Sequence, residues 1–341
     1  MRSKNHFVSQ GYLRNWCDSE NNLWCYRTLV AHDNANAWKK VSPKSVAYHL
    51  HLYSQLKDQE LDDEIETWFD KEFESPAQSA LDRALRDLKL SSDDWNKIIN
   101  FVALHDARTP ARLYEHLERA QRIFPEIIKK LQNELPKRLL GLKQEYCHPT
   151  KHKNHLPLKI TLTHEEGKEK EKAMIINIES YTGRSSWLFS LKHILNYTIN
   201  ILNKHKWTII RPYDGMKWFT SDNPVIRLNF ISQDKYDLKG GWDVKKGNIL
   251  LPLDSEHLLL TEMGSYPPIK GVRFNKEKTL FIRKVIAENS YRMIFSNEPD
   301  HEIEKYTPRV VDYKLFSQER EMWKKWHEEN TLMETKFAKE P

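Results

Sequence analysis

The stretch LSSDDWNKIINFVALHDARTP, residues 90–110, reads as a helix with a strong start and a sharp end. Ser91 or Ser92 can cap it, and Asp93 and Asp94 lie where the positive end of the helix dipole favours carboxylates. Trp95, Ile98, Ile99, Val102 and Ala103 recur at three and four residues, which makes one apolar stripe. Pro110 ends this helix or opens the next, because the residue before a proline avoids the α region.

The helical period extends outward on both sides. Upstream, Leu61, Ile65, Trp68, Phe69 and Phe73 keep the same spacing, so EIETWFDKEF is amphipathic with its acids on the wet face; a second helix follows from Pro76 to about Leu88. Downstream, ARLYEHLERAQRIF continues as helix, and Pro125 and Pro136 are expected to break the chain beyond it into shorter helical pieces. Residues 142–172 are polar, lysine-rich and punctuated by proline, an exposed basic connection holding one strand, LKITLTH.

Strands dominate the remainder. LWCYR (23–27) is a short strand, and YHLHLY sets His49 and His51 on one side of another. After a helix in SSWLFSLKHILNYTINILNKH, KWTIIRPYDGMKWFTSD has two apolar runs around PYDG, and NILLPLDSEHLLLTEM has two leucine runs around DSEH. Both are hairpin signals. A helix over about 278–289, a strand YRMIFS and a charged helix near 318–329 complete the pattern. The expectation is an α+β fold: a helical first half packed on an antiparallel sheet with covering helices. It forms a single domain with two lobes, 1–141 and 173–341, joined by 142–172.

Composition agrees with a globular chain. Of 341 residues, 39% are apolar and 11% aromatic, including eleven tryptophans. No window approaches a membrane span, and Arg2 and Lys4 have no apolar region behind them, so a cytoplasmic protein is expected. Cys17, Cys25 and Cys147 give neither a disulfide framework nor a zinc ribbon and read as reduced thiols. Net charge is +6, unevenly spread: residues 1–50 hold seven Lys/Arg against three Asp/Glu, and residues 51–100 hold six against thirteen. Such asymmetry permits an anionic partner near the basic parts.

Three constellations could carry chemistry. In NHFVSQGYLRNW a helix starting at Ser9 puts Val8, Tyr12, Leu13 and Trp16 on one apolar stripe, with Asn5 or Ser9 as cap. His6 then sits before a helix N-terminus, either as a proton-transfer group or as a partner of the turn. In HDARTP, His105 and Arg108 are three apart and can project from one helix face, as an anion clamp or general acid or as a C-cap. In KWFTSDNPV, Asp222 and Asn223 stand at a strand end, where they can bind a metal, orient a base or build an Asx turn.

Weaker is CHPTKHKNH, whose Cys147, His148, His152 and His155 could accept zinc but lie in a lysine-rich loop with no matching second half. No Walker loop, GxGxxG, GxSxG, HExxH or EF-hand pattern occurs.

Taken in order, HFVSQGYLRNW, NFVALHDARTP and KWFTSDNPV, together with LLPLDSEHLLL and the Asn289 region, resemble the bacterial family catalogued as domain of unknown function 4238, over about residues 4 to 300. The matching positions are His6, Tyr12, Leu13, Arg14, Arg108, Thr109, Pro110, Thr220, Ser221, Asp222, Asn223 and Pro224. Ser9 stands where the family usually has proline, Trp16 where it has phenylalanine, and His105 where glutamine is more usual. The last departure weighs against His105 as the catalytic histidine.

The resemblance implies that the three motifs meet at one place. His6, Asp222, Asn223 and His105 would then be catalytic, with Arg14, Arg108, Gln10 and Ser221 holding substrate. That set suits a phosphodiester: a histidine to move a proton, arginines to neutralise phosphate, and Asp/Asn to orient. The leading expectation is a nuclease-like hydrolase acting on RNA or another phosphodiester, as the effector of a bacterial defence or toxin-type system, with a regulatory protein partner a further expectation. A metal-free mechanism is preferred because carboxylates are scarce in the motifs, with one metal at Asp222 and His6 as the other option. The alternative is a non-enzymatic module that binds a nucleotide, a nucleic acid or a protein. A third reading makes all three motifs structural.

Overall fold

Two antiparallel sheets share one hydrophobic core with the helices, a core whose buried side chains run from Phe7 to Trp326. The computed structural model describes residues 4–57, 60–141, 158–165 and 173–339. The fold is α+β, as the sequence predicts. Because Leu23–Arg27 pairs with Met293–Ser296, the first part of the chain also contributes strands to the sheet of the second part.

The five-stranded sheet runs Trp207–Ile210, Leu258–Glu262, Gly247–Pro252, Ile226–Ser232, Lys235–Asp237. Its DSEH hairpin forms as expected, with Pro252 opposite Leu258. The four-stranded sheet runs Thr220–Ser221, Met293–Ser296, Leu23–Arg27, Trp38–Val41.

The PYDG hairpin is a correction. The turn itself forms, with Met216 N–H donating to the Tyr213 carbonyl and Gly215 at φ +76°, a backbone state glycine adopts without strain. Its two flanks then part. Trp207–Ile210 joins the five-stranded sheet beside Leu258–Glu262, while Thr220–Ser221 joins the four-stranded sheet beside Met293–Ser296. Both flanking runs are buried, but each buries against a different sheet, which local alternation does not specify.

The capped helix spans Ser92–Ala107. Ser91 caps it, accepting from Asp94 N–H at 3.1 Å while the Asp94 carboxylate accepts from Ser91 N–H at 2.8 Å. Pro110 opens the next helix, Pro110–Gly141, which continues through Pro125 and Pro136. The expected breaks are therefore absent. Each proline deprives the carbonyl four residues back of its partner, but those residues, Gln121 and Gln132, are exposed and water can serve instead.

Upstream, Glu64–Phe69 passes through one wide π turn, Asp70–Glu74, directly into Ser75–Leu85. LKITLTH forms the strand Leu158–Glu165, paired with Ala173–Ser180. Among the described residues no helix is long and apolar enough to cross a membrane. Cys17 and Cys25 are free thiols, and burial pushes the Cys25 thiol up to about 12. Cys147, His148, His152 and His155 lie outside the described residues.

Candidate active site

The opening segment builds one wall of a cleft of about 770 Å³. Lys4–His6 pairs antiparallel with Tyr48–Leu50, His6 opposite Tyr48. Ser9 then caps Gln10–Leu13, its hydroxyl accepting from Tyr12 N–H at 3.1 Å, and Arg14–Trp16 tightens into a 3-10 turn. Val8, Tyr12, Leu13 and Trp16 are buried, as the helical stripe predicts. Burying that stripe leaves His6, Gln10 and Arg14 on the other side, facing the cleft with Lys4 and Lys44. Arg14 is exposed and forms no ion pair with a described residue.

The opposite wall is acidic. Glu66, Asp70 and Glu74 recur every four residues and line the same cleft. The π turn falls on the last of these steps, a local widening common at functional sites.

His6 is half-buried between the walls. Its ring lies 5.5 Å from that of Tyr48, and the Gln10 amide nitrogen sits 3.4 Å from both ring nitrogens. Burial lowers its pKa below the usual histidine value and the Arg108 charge adds to that, while a hydrogen bond to the Lys44 carbonyl and the Glu74 charge oppose it. His6 is therefore neutral at physiological pH and able to accept a proton.

Arg108 reaches the cleft from below, but it is not a free clamp. Its Nε donates to the Phe7 carbonyl at 3.1 Å, one terminal nitrogen donates to His105 Nε2 at 3.1 Å, and the other forms an ion pair with Glu74. Only 2% exposed, it ties the opening segment to the acidic helix. Tyr53 OH donates to its carbonyl at 2.7 Å.

His105 is wholly buried. Ser9 N–H and Arg108 both donate to its Nε2, so Nδ1 carries the proton and donates to the Phe101 carbonyl at 3.0 Å. Burial, reinforced by the Arg108 charge, holds its pKa well below the ordinary histidine value. Both ring nitrogens of His105, expected from the sequence to be catalytic, are engaged by the fold, and it does not line the cleft with His6.

The third motif is also buried and bonded within the fold. Asp222 is 0% exposed and its carboxylate accepts from the backbone N–H groups of Tyr291, Arg292 and Met293 at 2.8, 2.8 and 3.0 Å. Burial raises its pKa to about 7 against the pull of those three donors. Asn223 Nδ2 donates to the Asn289 carbonyl at 2.9 Å, and its Oδ1 accepts from Thr109 Oγ1 at 3.0 Å. Ser221 Oγ accepts from Asn223 N–H at 3.2 Å and is buried.

None of Ser221, Asp222 and Asn223 lines the cleft with His6, and the carbonyl that engages His6 belongs to Lys44. The motifs do meet, but inside the core: Tyr12 OH hydrogen-bonds both Thr220 Oγ1, at 2.6 Å, and the Pro252 carbonyl.

Lys4, Lys44, Glu66, Phe69, Asp70 and Glu74 are the cleft residues that the motifs miss. The four-residue spacing of the three acids was readable as a wet helix face; its position opposite His6 was not. No group of three or more His, Cys, Asp or Glu placed to hold a metal ion occurs among the described residues.

A family model described as "Protein of unknown function (DUF4238)" matches residues 4–300. No curated protein matches the chain, and no solved structure does.

Proposed function

Because the chain belongs to the DUF4238 family, whose description names no activity, we propose a function from the site itself: a nuclease-like hydrolase that cleaves RNA phosphodiesters in the cleft between the opening segment and the acidic helix. The observation that carries this reading is a neutral, half-buried histidine facing a cleft with Lys4, Arg14 and Lys44, on the wall opposite Glu66 and Asp70.

The cations hold the phosphate and offset its charge as it grows in the transition state. His6 takes the proton of a ribose 2′-hydroxyl, whose oxygen forms a bond to phosphorus as the bond to the 5′-oxygen breaks. Protonated His6 or a water then returns a proton to the departing oxygen, leaving a 2′,3′-cyclic phosphate and a 5′-hydroxyl. RNA is favoured over DNA because it supplies that nucleophile. Glu74 is matched by Arg108, and Lys4, Arg14 and Lys44 form no ion pair with a described residue, so they can take up an anion. The setting proposed is the cytoplasm, with the protein acting as a toxin-type effector.

The test compares wild type with His6→Ala and Arg14→Ala on an end-labelled single-stranded RNA. Wild type is expected to cut it, His6→Ala to lose at least about 100-fold in rate, and Arg14→Ala to weaken RNA binding. Intact RNA with wild type at micromolar protein rejects the nuclease reading. Binding without cleavage, lost in Arg14→Ala, establishes the non-enzymatic module instead.

A further inference from the structure

A second cavity, of about 300 Å³, shares no lining residue with the cleft. It lies between the helix Tyr313–Lys339 and the strands Leu23–Arg27, Tyr48–Leu50 and Met293–Ser296, each of which contributes to its wall. Phe316, Glu319, Arg320 and Trp323 follow one another at three and four residues, so one face of the helix meets the cavity. On the strands, Arg27 and Met293 stand directly opposite each other and therefore project from the same side of the sheet. The walls keep apolar surface open: Phe316, Trp323, Tyr291 and Met293 are all half-buried.

The charges around this apolar surface do not balance. Three arginines, Arg27, Arg292 and Arg320, line the cavity with two carboxylates, Glu319 and Asp222. Arg292 Nε donates to Glu319 at 2.7 Å, so those two neutralise one another. The Asp222 carboxylate is 0% exposed and is taken up by three backbone N–H groups. Arg27 and Arg320 remain; both are exposed and neither forms an ion pair with a described residue. Even with Asp222 counted as ionised, the wall carries an excess positive charge. His49 adds nothing to it, because burial lowers its pKa to about 3 and keeps the ring neutral.

We propose that this cavity binds a single-chain amphipathic monoanion of the fatty-acid type, with the hydrocarbon against Phe316, Trp323, Tyr291 and Met293 and the carboxylate at Arg27 and Arg320. The chain covers the apolar surface that the half-buried side chains leave open. The carboxylate supplies the missing charge and accepts charge-assisted hydrogen bonds from the guanidinium groups. A phosphate monoester would bring close to two negative charges against the single excess positive one. The volume is at the lower end of the roughly 300–1,000 Å³ range of small-molecule sites, which suits a chain of medium length. The site is separate from the cleft and stands whether or not the cleft cuts RNA.

Isothermal titration of the full chain with hexanoate, octanoate, octanol and acetate tests it. Octanoate is expected to bind saturably and at least about 10-fold more tightly than octanol, which has the chain without the charge. Each methylene added between hexanoate and octanoate should tighten binding by up to about 4-fold, and acetate, which has the charge without the chain, should not saturate. Arg27→Glu and Arg320→Glu are each expected to weaken octanoate binding about 10-fold or more, whereas Arg14→Glu in the cleft leaves it in place. Both arginines are exposed, so these variants are expected to fold. No saturable binding of octanoate, equal binding of octanol, no gain with chain length, a loss in Arg14→Glu, or no loss in either Arg27→Glu or Arg320→Glu overturns the proposal.

Discussion

The opening segment and the Thr220–Pro224 turn hold similar polar side chains in opposite states. Around Asp222 the acceptors are matched inside the core: three backbone N–H groups reach its carboxylate, and Thr109, Asn223 and Asn289 close a further set of bonds. Around His6 the cations Lys4, Arg14 and Lys44 face an open cleft. A buried polar group is held by its bonds to the fold and has little left to offer a ligand, while a group kept at a cleft wall by its neighbours retains its bonding capacity. The difference fits a structural role for the one motif, and the proposed function draws on the other.

The largest effect expected from that contrast is in Asp222→Ala. Three half-buried N–H groups lose their acceptor at once, and the start of Met293–Ser296 loses its anchor to Thr220–Ser221. A loss of about 3–5 kcal/mol is expected, read as a lowered urea midpoint at constant slope. A change below about 0.5 kcal/mol would break the comparison, because it would mean the carboxylate does not hold the turn.

Next in size is a pH effect that belongs to the buried side of the molecule. His49 stacks between Trp323, with ring centres 3.7 Å apart, and Phe7, at 5.3 Å. Burial lowers its pKa from the ordinary 6.5 to about 3. A depressed value means the neutral ring is favoured in the fold. Its contribution is complete above pH 6.5 and is lost as pH falls toward 3. Between pH 7.5 and pH 5 that loss amounts to about 2 kcal/mol, using about 1.36 kcal/mol per pKa unit. Urea unfolding of wild type and His49→Phe at both pH values measures it: the variant's loss over the interval should be smaller by that amount. An equal pH dependence in both proteins would show that His49 is not the group titrating.

Legibility in the sequence depends on how local each signal is. Ser91, the Trp95 to Ala103 stripe and the DSEH turn act within a few residues, and the sequence states them. Leu23–Arg27 was readable as a strand, but its partner Met293–Ser296 lies far along the chain and no local pattern names it. The same limit applies to the site. His6, Gln10 and Arg14 emerge once the buried stripe is subtracted from one short segment. Lys44 joins them only because Tyr48–Leu50 pairs with Lys4–His6. Asp222 was ambiguous for a chemical reason: Ser-Asp-Asn-Pro at a strand end suits an active-site acid and a buried turn equally, and the three N–H groups from residues 291–293 that occupy its carboxylate lie far along the chain.

The smallest expected change in stability is the one that isolates the cleft. Arg14 is exposed, has no ion pair among the described residues and packs on no buried polar partner that would be orphaned. Arg14→Ala should therefore shift unfolding by less than about 0.5 kcal/mol. Its effect on RNA should be far larger, since it removes one of the three cations on the basic wall, and should fade as salt rises because counterion release supplies much of that grip. Filter binding of single-stranded RNA between about 50 and 200 mM salt checks both points, with a shallower salt slope expected for the variant. An unchanged slope with unchanged affinity would remove Arg14 from the anion site and leave Lys4 and Lys44 as the cations to test.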